Sequence, residues 1–373
     1  MVRSLGSDEQ CRAWSRPLEL AVTDSIIIDT ATRIFADLCE PTTINAAEEG
    51  TWPEALWNAL EENGLSLTWV PDDLGGAGAE MLDGFAVLRV AGRAAAPVPL
   101  AETLMAGWLL AQAGIAAPSG PMTIAPVYSD GNVELGSDGK LRGRARDIPF
   151  ARAAKHVAVL ARRDAGYAVA LVGAAGITIR EDKNLAGEPT DTVSFDGASA
   201  IDAKPAHGLD LAALVRLGAA VRTQQMAGAL EHILELSVQW ALDRVQFGRP
   251  IAKFQAVQHN LAQLAGEVAA AGAAADAAAE AIAERGINGN AVDSDIAVAK
   301  IRVGEAAGTG AAIAHQAHGA MGFTYEHSLH QSTRRLWTWR EEFGNERAWA
   351  RRLGRMVAAQ GADQLWPFIT QGS

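Results

Sequence analysis

Cysteine is scarce in this sequence, and long hydrophobic runs are missing. Cys11 and Cys39 are the two cysteines among 373 residues, and their spacing is not that of a metal or redox site. A disulfide-rich secreted domain is therefore excluded, and we expect a reduced, cytoplasmic setting. No apolar run approaches the roughly 20 residues of a membrane span. Residues 1–16 contain no stretch typical of a signal peptide, so we expect no membrane partner.

Positive charge is also in deficit. The chain has 32 Lys and Arg residues against 44 Asp and Glu residues, which gives a formal net charge of −12 at pH 7. A chain this acidic is not expected to bind nucleic acid as a general partner. An anionic ligand can still bind at a place where arginines are concentrated.

Residues 1–23, which we interpret as an N-terminal extension, are followed by three zones with different patterns of apolar residues. Residues 24–120 carry helical patterns, whereas residues 121–205 carry short alternating apolar runs between turn residues. Helical patterns return in residues 206–373. The long ones cover residues 211–243, 253–286, 294–318 and 345–358. The predicted fold class is therefore α+β, with an N-terminal helical domain, a middle antiparallel β domain and a C-terminal four-helix bundle.

The segment that joins the first two long helices is the richest in special residues. Arg244 and Arg249 bracket a turn at Gly248, which permits a backbone conformation that other residues resist. Pro250 fixes its own φ and is suited to begin a helix. One interpretation is a turn that presents arginines to a phosphate group. The alternative is a helix–helix corner with solvated arginines, and the residues alone leave both open.

Six segments, taken in order, resemble the acyl-CoA dehydrogenase family. They are residues 60–78, 96–103 (APVPLAET), 244–255 (RVQFGRPIAKFQ), 296–300 (IAVAK), 316–324 (QAHGAMGFT) and 326–335 (EHSLHQSTRR). Each motif is weak by itself, but their order and spacing make the resemblance strong over nearly the whole chain after residue 24. The last two segments resemble the bacterial branch that supplies subunits of heteromeric, steroid-type enzymes.

The resemblance implies an oligomer, expected to be a tetramer, that removes two hydrogens from an acyl-CoA thioester with FAD. In the family, a carboxylate takes the α proton while the flavin accepts the β hydride. By motif match, Arg244 would contact the pyrophosphate of a neighbouring subunit's FAD, with Phe247 and Gln255 nearby. Gln316 and Gly319 would contact the adenosine side. The alternative for these two residues is an ordinary helix C-terminus that ends in glycine.

The catalytic glutamate of the family has no counterpart at its usual places. The family pattern puts it on Phe343 or, in some members, on Gly218 of the first long helix. Glu342 lies beside the first of these positions and is the remaining candidate base. The alternative, which we favour, is that Glu342 is an exposed acid at a helix end. Ala320 also stands where many members have glycine.

The segments that contact the isoalloxazine ring in the family are absent too. Residues 121–130 are short and lack the acidic-Pro-x-Ala-Gly-Ser-Asp motif, and residues 141–151 replace the usual tryptophan-containing segment. We therefore interpret the chain as one subunit of a heteromeric acyl-CoA dehydrogenase, in which a related partner chain completes the flavin site. One alternative is a self-sufficient homotetramer that uses Glu342 or an unrecognised base. A third hypothesis is a flavin monooxygenase of the same fold.

The acyl substrate is constrained by the resemblance alone, which points to a steroid-derived or branched acyl-CoA. Ala219, Ala220 and Gly228 are small residues of the first long helix, where they would leave room for a bulky acyl group. The interpretation that we favour is that they allow close helix packing.

Overall fold

Five helices form the first zone of the structure, a computed structural model that describes residues 25–128 and 132–371. They are α1 (Ser25–Leu38), α2 (Pro41–Glu48), α3 (Glu54–Glu62), α4 (Met81–Arg93) and α5 (Leu100–Gln112). Pro41 lies in the first turn of α2, where its missing N–H costs no hydrogen bond. The expected N-terminal extension and Cys11 lie outside the described residues.

Helix α5 connects this zone to the sheet that follows. Its residues 100–110 are buried on every side, as expected of a helix that is apolar all round. The hydroxyl of Thr103 accepts a hydrogen bond from the backbone N–H of Met122 at 3.0 Å. The first strand is therefore fixed directly onto α5.

One nine-stranded sheet occupies the middle zone of the described chain. Its strands are β1 (Met122–Ala125), β2 (Asn132–Leu135), β3 (Lys140–Pro149), β4 (His156–Arg163), β5 (Gly166–Gly173), β6 (Thr178–Arg180), β7 (Thr190–Ser194), β8 (Ala198–Ser199) and β9 (Asp202–Pro205). The order is β6-β7-β3-β2-β4-β5-β9, with β1 beside β4 and β8 beside β3.

Two strand pairs correct the expectation of an antiparallel β domain. Most pairs are antiparallel, but β1 runs parallel to β4 with Met122 opposite His156. β2 also meets β4 in parallel, at Glu134 and Arg162. The sheet is therefore mixed. Alternating apolar residues identify strands, but they do not reveal which strand lies beside which or in what direction.

The third zone consists of helices and one small hairpin. Its helices are α6 (Leu211–Asp243), α7 (Gln255–Arg285), α8 (Asp293–His318), α9 (Leu329–Glu341), α10 (Glu346–Gln360) and α11 (Leu365–Gln371). The hairpin strands β10 (Val245–Gln246) and β11 (Arg249–Pro250) lie between α6 and α7. Helix α6 packs against α4, α7, α8 and α9, so it is the centre of the bundle. The predicted α+β fold class is confirmed, and the exact domain limits stay a prediction.

Helices α4 and α6 approach each other through glycines. A Cβ atom added to Gly228 would lie 2.0 Å from the carbonyl oxygen of Arg89, and one added to Gly92 would lie 2.1 Å from that of Gln225. Any side chain at either position would force the helices apart. The structure thus supports close packing as the role of Gly228. Among the described helices, none has the length and apolar character needed to cross a lipid bilayer.

Helix α9 was not predicted as a helix from the sequence. Its buried face includes Gln331, Ser332, Thr333 and Arg335 as well as apolar residues. Apolar periodicity cannot mark a helix whose inward side is largely polar. The polar groups have partners far along the chain, including Arg335, whose guanidinium lies 2.9 Å from the Glu188 carboxylate.

Candidate functional site

The two positions that carry the catalytic base in the family lie against each other in this chain. Phe343 is 2% exposed, and its ring packs onto Gly218 of α6. A Cβ atom added to Gly218 would lie only 2.3 Å from two ring carbons of Phe343. The ring is held in place because the indole N–H of Trp349 donates to the Phe343 carbonyl oxygen at 3.0 Å. The Phe343 ring therefore occupies the space beside Gly218, and neither of the two positions on which the family pattern would place the base carries a carboxylate.

Glu342 is the third residue of this corner, and it is not an exposed acid. Its side chain is 13% exposed, and its carboxylate accepts a hydrogen bond from Arg222 Nε at 2.6 Å. Burial raises the pKa of Glu342, and the Arg222 charge opposes that rise. The interpretation that we favoured from the sequence is wrong, because an arginine from the middle of α6 reaches this loop.

Arg222 joins two carboxylates in the interior. Its Nη2 donates to Glu102 Oε1 at 2.6 Å, while its Nη1 donates to the side-chain oxygen of Gln225. Burial alone would lower the pKa of Arg222, but the carboxylates of Glu342 and Glu102 raise it by more. The net pKa is raised, so the guanidinium stays charged. A buried charge of this kind is tolerated only when its partners are complete. The side chains that accept hydrogen bonds from Arg222 therefore form a structural network with it.

Lys300 fixes the end of α9 beside this network. It is buried, and its Nζ donates to the carbonyl oxygens of Trp339 and Arg340 at 3.0 and 2.9 Å. Burial lowers the pKa of Lys300 to about 7, although the Glu342 carboxylate acts in the opposite direction. Sequence reasoning assigned no role to Glu102, Arg222 or Lys300. The sequence feature that could have identified these three residues is their charge within otherwise apolar helical segments.

A small cavity remains next to Phe343. Its volume is about 230 Å³, and its lining includes Tyr128, Phe343 and Trp349. Ligand pockets for small molecules usually span about 300–1,000 Å³. Burial, followed by repulsion from Glu342, raises the pKa of Tyr128 to about 12, so its hydroxyl stays protonated at neutral pH. The cavity beside Phe343 is therefore smaller than the usual small-molecule site.

The hairpin between α6 and α7 is exposed, in contrast to the buried corner at Phe343. Phe247 and Gly248 form its turn with φ values of 52° and 78°, the left-handed backbone of a tight two-residue hairpin turn. Phe247 is 92% exposed. The guanidinium of Arg249 lies 4.3 Å from the centre of the Phe254 ring. Within the described part of the chain, Arg244 and Arg249 have no carboxylate at ion-pair distance.

The second predicted segment, at the end of α8, lies beside the hairpin. The imidazole of His318 stacks on Trp240 with ring centres 5.2 Å apart, and the Arg244 guanidinium lies over the Trp240 ring, 5.9 Å from its centre. Gly319 ends α8 with a φ of 63°, and the space where its Cβ would lie is open. Gln316 is exposed in the last turn. Arg244, Phe247, Gln255, Gln316 and Gly319 are thus all exposed, and we refer to them together as the outward surface. Gly319 is also the helix terminus of the alternative interpretation.

That surface keeps features that a ligand would use. Gln255 is exposed at the start of α7, and Ala320 is exposed after Gly319. The buried His318 Nε2 has no hydrogen-bond partner among the described residues. Burial lowers the pKa of His318 to about 4, so the ring is neutral at neutral pH. Exposed arginines, a free glycine backbone and an unpartnered imidazole fit the phosphate and adenosine portion of a dinucleotide.

Comparison with known proteins identifies the class of this fold. Residues 23–117 match the N-terminal domain of the acyl-CoA dehydrogenases, and residues 214–357 match their C-terminal domain. Acyl-CoA dehydrogenase IpdE2 of Mycobacterium tuberculosis is 30% identical over 309 residues, which cover 81% of this chain and 87% of that protein. The chain belongs to the acyl-CoA dehydrogenase family.

Two solved structures share the fold over most of their length. A chain of the ChsE4–ChsE5 complex from Mycobacterium tuberculosis aligns with a TM-score of 0.81 at 25% identity, covering 91% of this chain and 99% of that one. A variant of the Tcur3481–Tcur3483 steroid acyl-CoA dehydrogenase aligns with a TM-score of 0.79 at 25% identity, covering 90% and 98%. Members of this family are oxidoreductases that act on acyl-CoA with FAD. The expected enzyme class and cofactor are therefore confirmed at the level of the family.

Proposed function

We propose that this chain is the flavin-anchoring, non-catalytic subunit of a heteromeric acyl-CoA dehydrogenase. The observation that carries the proposal is the contact of Phe343 with Gly218. A general base must come within about 3 Å of the proton that it removes. Both places from which a family carboxylate reaches that proton are occupied by an aromatic ring in this chain. The base then has to come from a related partner subunit.

Glu342 does not serve as that base. Its carboxylate is bound to Arg222, which also holds Glu102, and the side chains of all three are largely buried. A shift of Glu342 toward a substrate would leave the buried Arg222 charge incompletely paired, which is costly in a low-dielectric interior. We infer that the role of Glu342 is structural, as the ion-pair partner of Arg222. A homotetramer that relies on Glu342 is accordingly the weaker proposal.

The outward surface would hold part of the FAD whose isoalloxazine ring lies in the partner. FAD, when bound, supplies the hydride acceptor of the reaction. Arg244 would neutralise its pyrophosphate, and the exposed Phe247 would pack beside it with Gln255. Gln316 and the open backbone at Gly319 would receive the adenosine side. Each of these groups is exposed here and has the chemistry for that contact.

The substrate that we propose is a bulky, steroid-derived acyl-CoA, oxidised by a tetramer of two subunit types. Two similarities support this. The ChsE4–ChsE5 structure is a complex of two chains, and the Tcur3481–Tcur3483 protein is a steroid acyl-CoA dehydrogenase. In such a complex this chain binds and orients FAD, while its filled corner excludes water from the shared interface.

The proposal is tested by counting flavin in the chain alone and in complex with its partner. The full chain is produced by itself and together with a candidate partner subunit of the acyl-CoA dehydrogenase family. We expect little flavin in the single chain and a stable yellow complex with the pair. A single chain that is fully yellow and oxidises acyl-CoA would overturn the proposal.

The anchoring role of Arg244 is tested within that complex. Arg244→Ala should lower the affinity for FAD by at least 10-fold, because a charge-assisted contact to the pyrophosphate is lost. Arg355→Ala is the matched control, since Arg355 is exposed on α10. Equal flavin content in both variants would remove Arg244 from the site.

A further inference from the structure

A second and larger cavity lies between the N-terminal helices and the sheet. Its volume is about 470 Å³, within the usual range for a small-molecule site. It shares no lining residue with the cavity beside Phe343. The apolar part of its wall includes Trp52, Pro53, Pro97, Pro121 and Phe150. Rigid, flat side chains of this kind favour a flat apolar ligand body.

Lys155 provides a positive charge at this wall. Its stem lies across Gly120, where an added Cβ atom would be 2.7 Å from the Lys155 side chain. Gly120 has a φ of 97°, so only glycine fits there without strain. Within the described part of the chain, no carboxylate lies at ion-pair distance from Lys155, and its ammonium has no hydrogen-bond acceptor. The lysine is thus placed by the backbone but left unpaired.

The other two cations of the cavity wall are already engaged. Arg152 is ion-paired with Asp191 and, at 2.7 Å, with Glu181. The ammonium of Lys183 donates to the backbone oxygen of Glu48 at 2.7 Å. Lys155 is therefore the cation of this wall that is available for an anionic ligand.

Trp57 adds an unused donor. It is 3% exposed and lines the cavity, and its indole N–H has no acceptor among the described residues. A buried N–H without a partner is unfavourable, and a ligand oxygen that accepts from it would remove that penalty. Trp52 lies beside it with ring centres 5.8 Å apart and remains partly exposed toward the cavity opening.

Two acidic residues of the wall restrict the charge of the ligand. Glu54 and Glu61 both line the cavity, and Glu61 accepts a hydrogen bond from the backbone N–H of Gly120 at 2.5 Å. A phosphate or another multiply charged group would be repelled by these carboxylates. A single negative charge matches the one free ammonium.

We propose that this cavity binds an organic monocarboxylate with a flat apolar body. The carboxylate pairs with Lys155 and accepts the Trp57 N–H, while the body lies against Trp52 and the prolines. This site requires neither FAD nor a partner subunit, so it goes beyond the proposed function. Its test is independent of the flavin experiments.

The test uses 2-naphthoate as the probe and 2-naphthamide as its uncharged counterpart. Both are titrated by calorimetry into the full-length protein in the assembly in which it purifies. We expect naphthoate to bind at least 10-fold more tightly than naphthamide. Lys155→Met should abolish this preference, and Lys155→Arg should retain it. Lys140→Met, at an exposed lysine of β3, is the matched control and should change nothing.

Trp57→Phe gives a second readout, because it keeps the ring and removes the donor. We expect several-fold weaker naphthoate binding, together with naphthamide binding that falls by a similar factor, since both probes offer an oxygen. No saturable naphthoate binding, equal affinity for the two probes, or an unchanged Lys155→Met variant would each overturn the proposal.

Discussion

The corner at Phe343 and the hairpin at Phe247 each contain a phenylalanine with the same backbone conformation, but the two rings differ completely in exposure. Both phenylalanines have a left-handed backbone, with φ values of 54° and 52°. The first is 2% exposed and the second 92% exposed. Phe343 is packed inside the core, whereas the Phe247 ring contacts Phe254, with ring centres 6.1 Å apart, and is otherwise exposed. The corner at Phe343 is thus filled from within the chain, while the hairpin at Phe247 stays exposed, which is what the proposed flavin-anchoring role requires.

The largest expected effect concerns the charge network behind the closed corner. Arg222→Met should lower the free energy of unfolding by about 3–5 kcal/mol, because Glu102 and Glu342 would remain buried without their partner. Urea denaturation measures this loss. Arg142→Met, which breaks the exposed pair with Asp138, is the control and should leave the midpoint unchanged. Equal effects from both variants would show that the corner is not a buried structural network.

The next effect concerns the ring that fills the site. Phe343→Ala should destabilise the protein by about 3 kcal/mol through the cavity that it opens against Gly218. Trp366→Ala removes a ring that is 72% exposed and should change stability by no more than about 0.5 kcal/mol. Thermal and urea unfolding compare the two. A tolerated Phe343→Ala would mean that the ring does not close the corner tightly.

The pH dependence of stability sharpens the contrast further. The folded-state pKa of Lys300 is about 7, below its usual value of 10.5. The unfolded chain therefore binds more protons between these pH values, and stability rises with pH across that window. We expect a gain of about 2 kcal/mol between pH 7 and 9 from this lysine. The Lys300→Met variant should lack this part of the slope, and an unchanged slope would contradict the assignment.

The smallest effect belongs to the hairpin. Phe247→Gly should raise the unfolding free energy of the isolated chain by at most about 1 kcal/mol, because glycine adopts the turn without strain. Gly248→Ala should lower it, since alanine resists the φ of 78°. In the complex, Phe247→Gly should nevertheless weaken flavin binding. A loss of stability in the isolated chain would show that Phe247 packs within this chain.

Local signals explain what the sequence predicted. Gly248 and Pro250 predict a turn within a few residues, which the structure forms as a hairpin, and apolar spacing identifies α6, α7 and α8. The family motifs then follow from the same local stretches. The order of helices, sheet and bundle could thus be predicted without any knowledge of contacts between distant parts of the chain.

Distant contacts explain what the sequence did not reveal. Glu102 and Glu342 each lie 120 residues from Arg222 along the chain, so no local pattern links them. Helix α9 was missed because its buried side is polar, and the parallel β1–β4 pair was missed because strand patterns carry no direction. These are consequences of tertiary packing, which overrides local pattern at the candidate site.

The most direct measurement is the rate at which an acyl-CoA reduces the flavin in the complex when Glu342→Gln replaces the wild-type chain. The substrate is one that the wild-type complex oxidises, and flavin content is matched before mixing. Glu102→Gln is the control, because it disturbs the same Arg222 network without touching the candidate base. If the catalytic base lies in the partner subunit, the flavin should be reduced at closely similar rates in the wild-type complex and in both variants. Loss of flavin reduction in Glu342→Gln alone would contradict the account and make this chain the catalytic subunit.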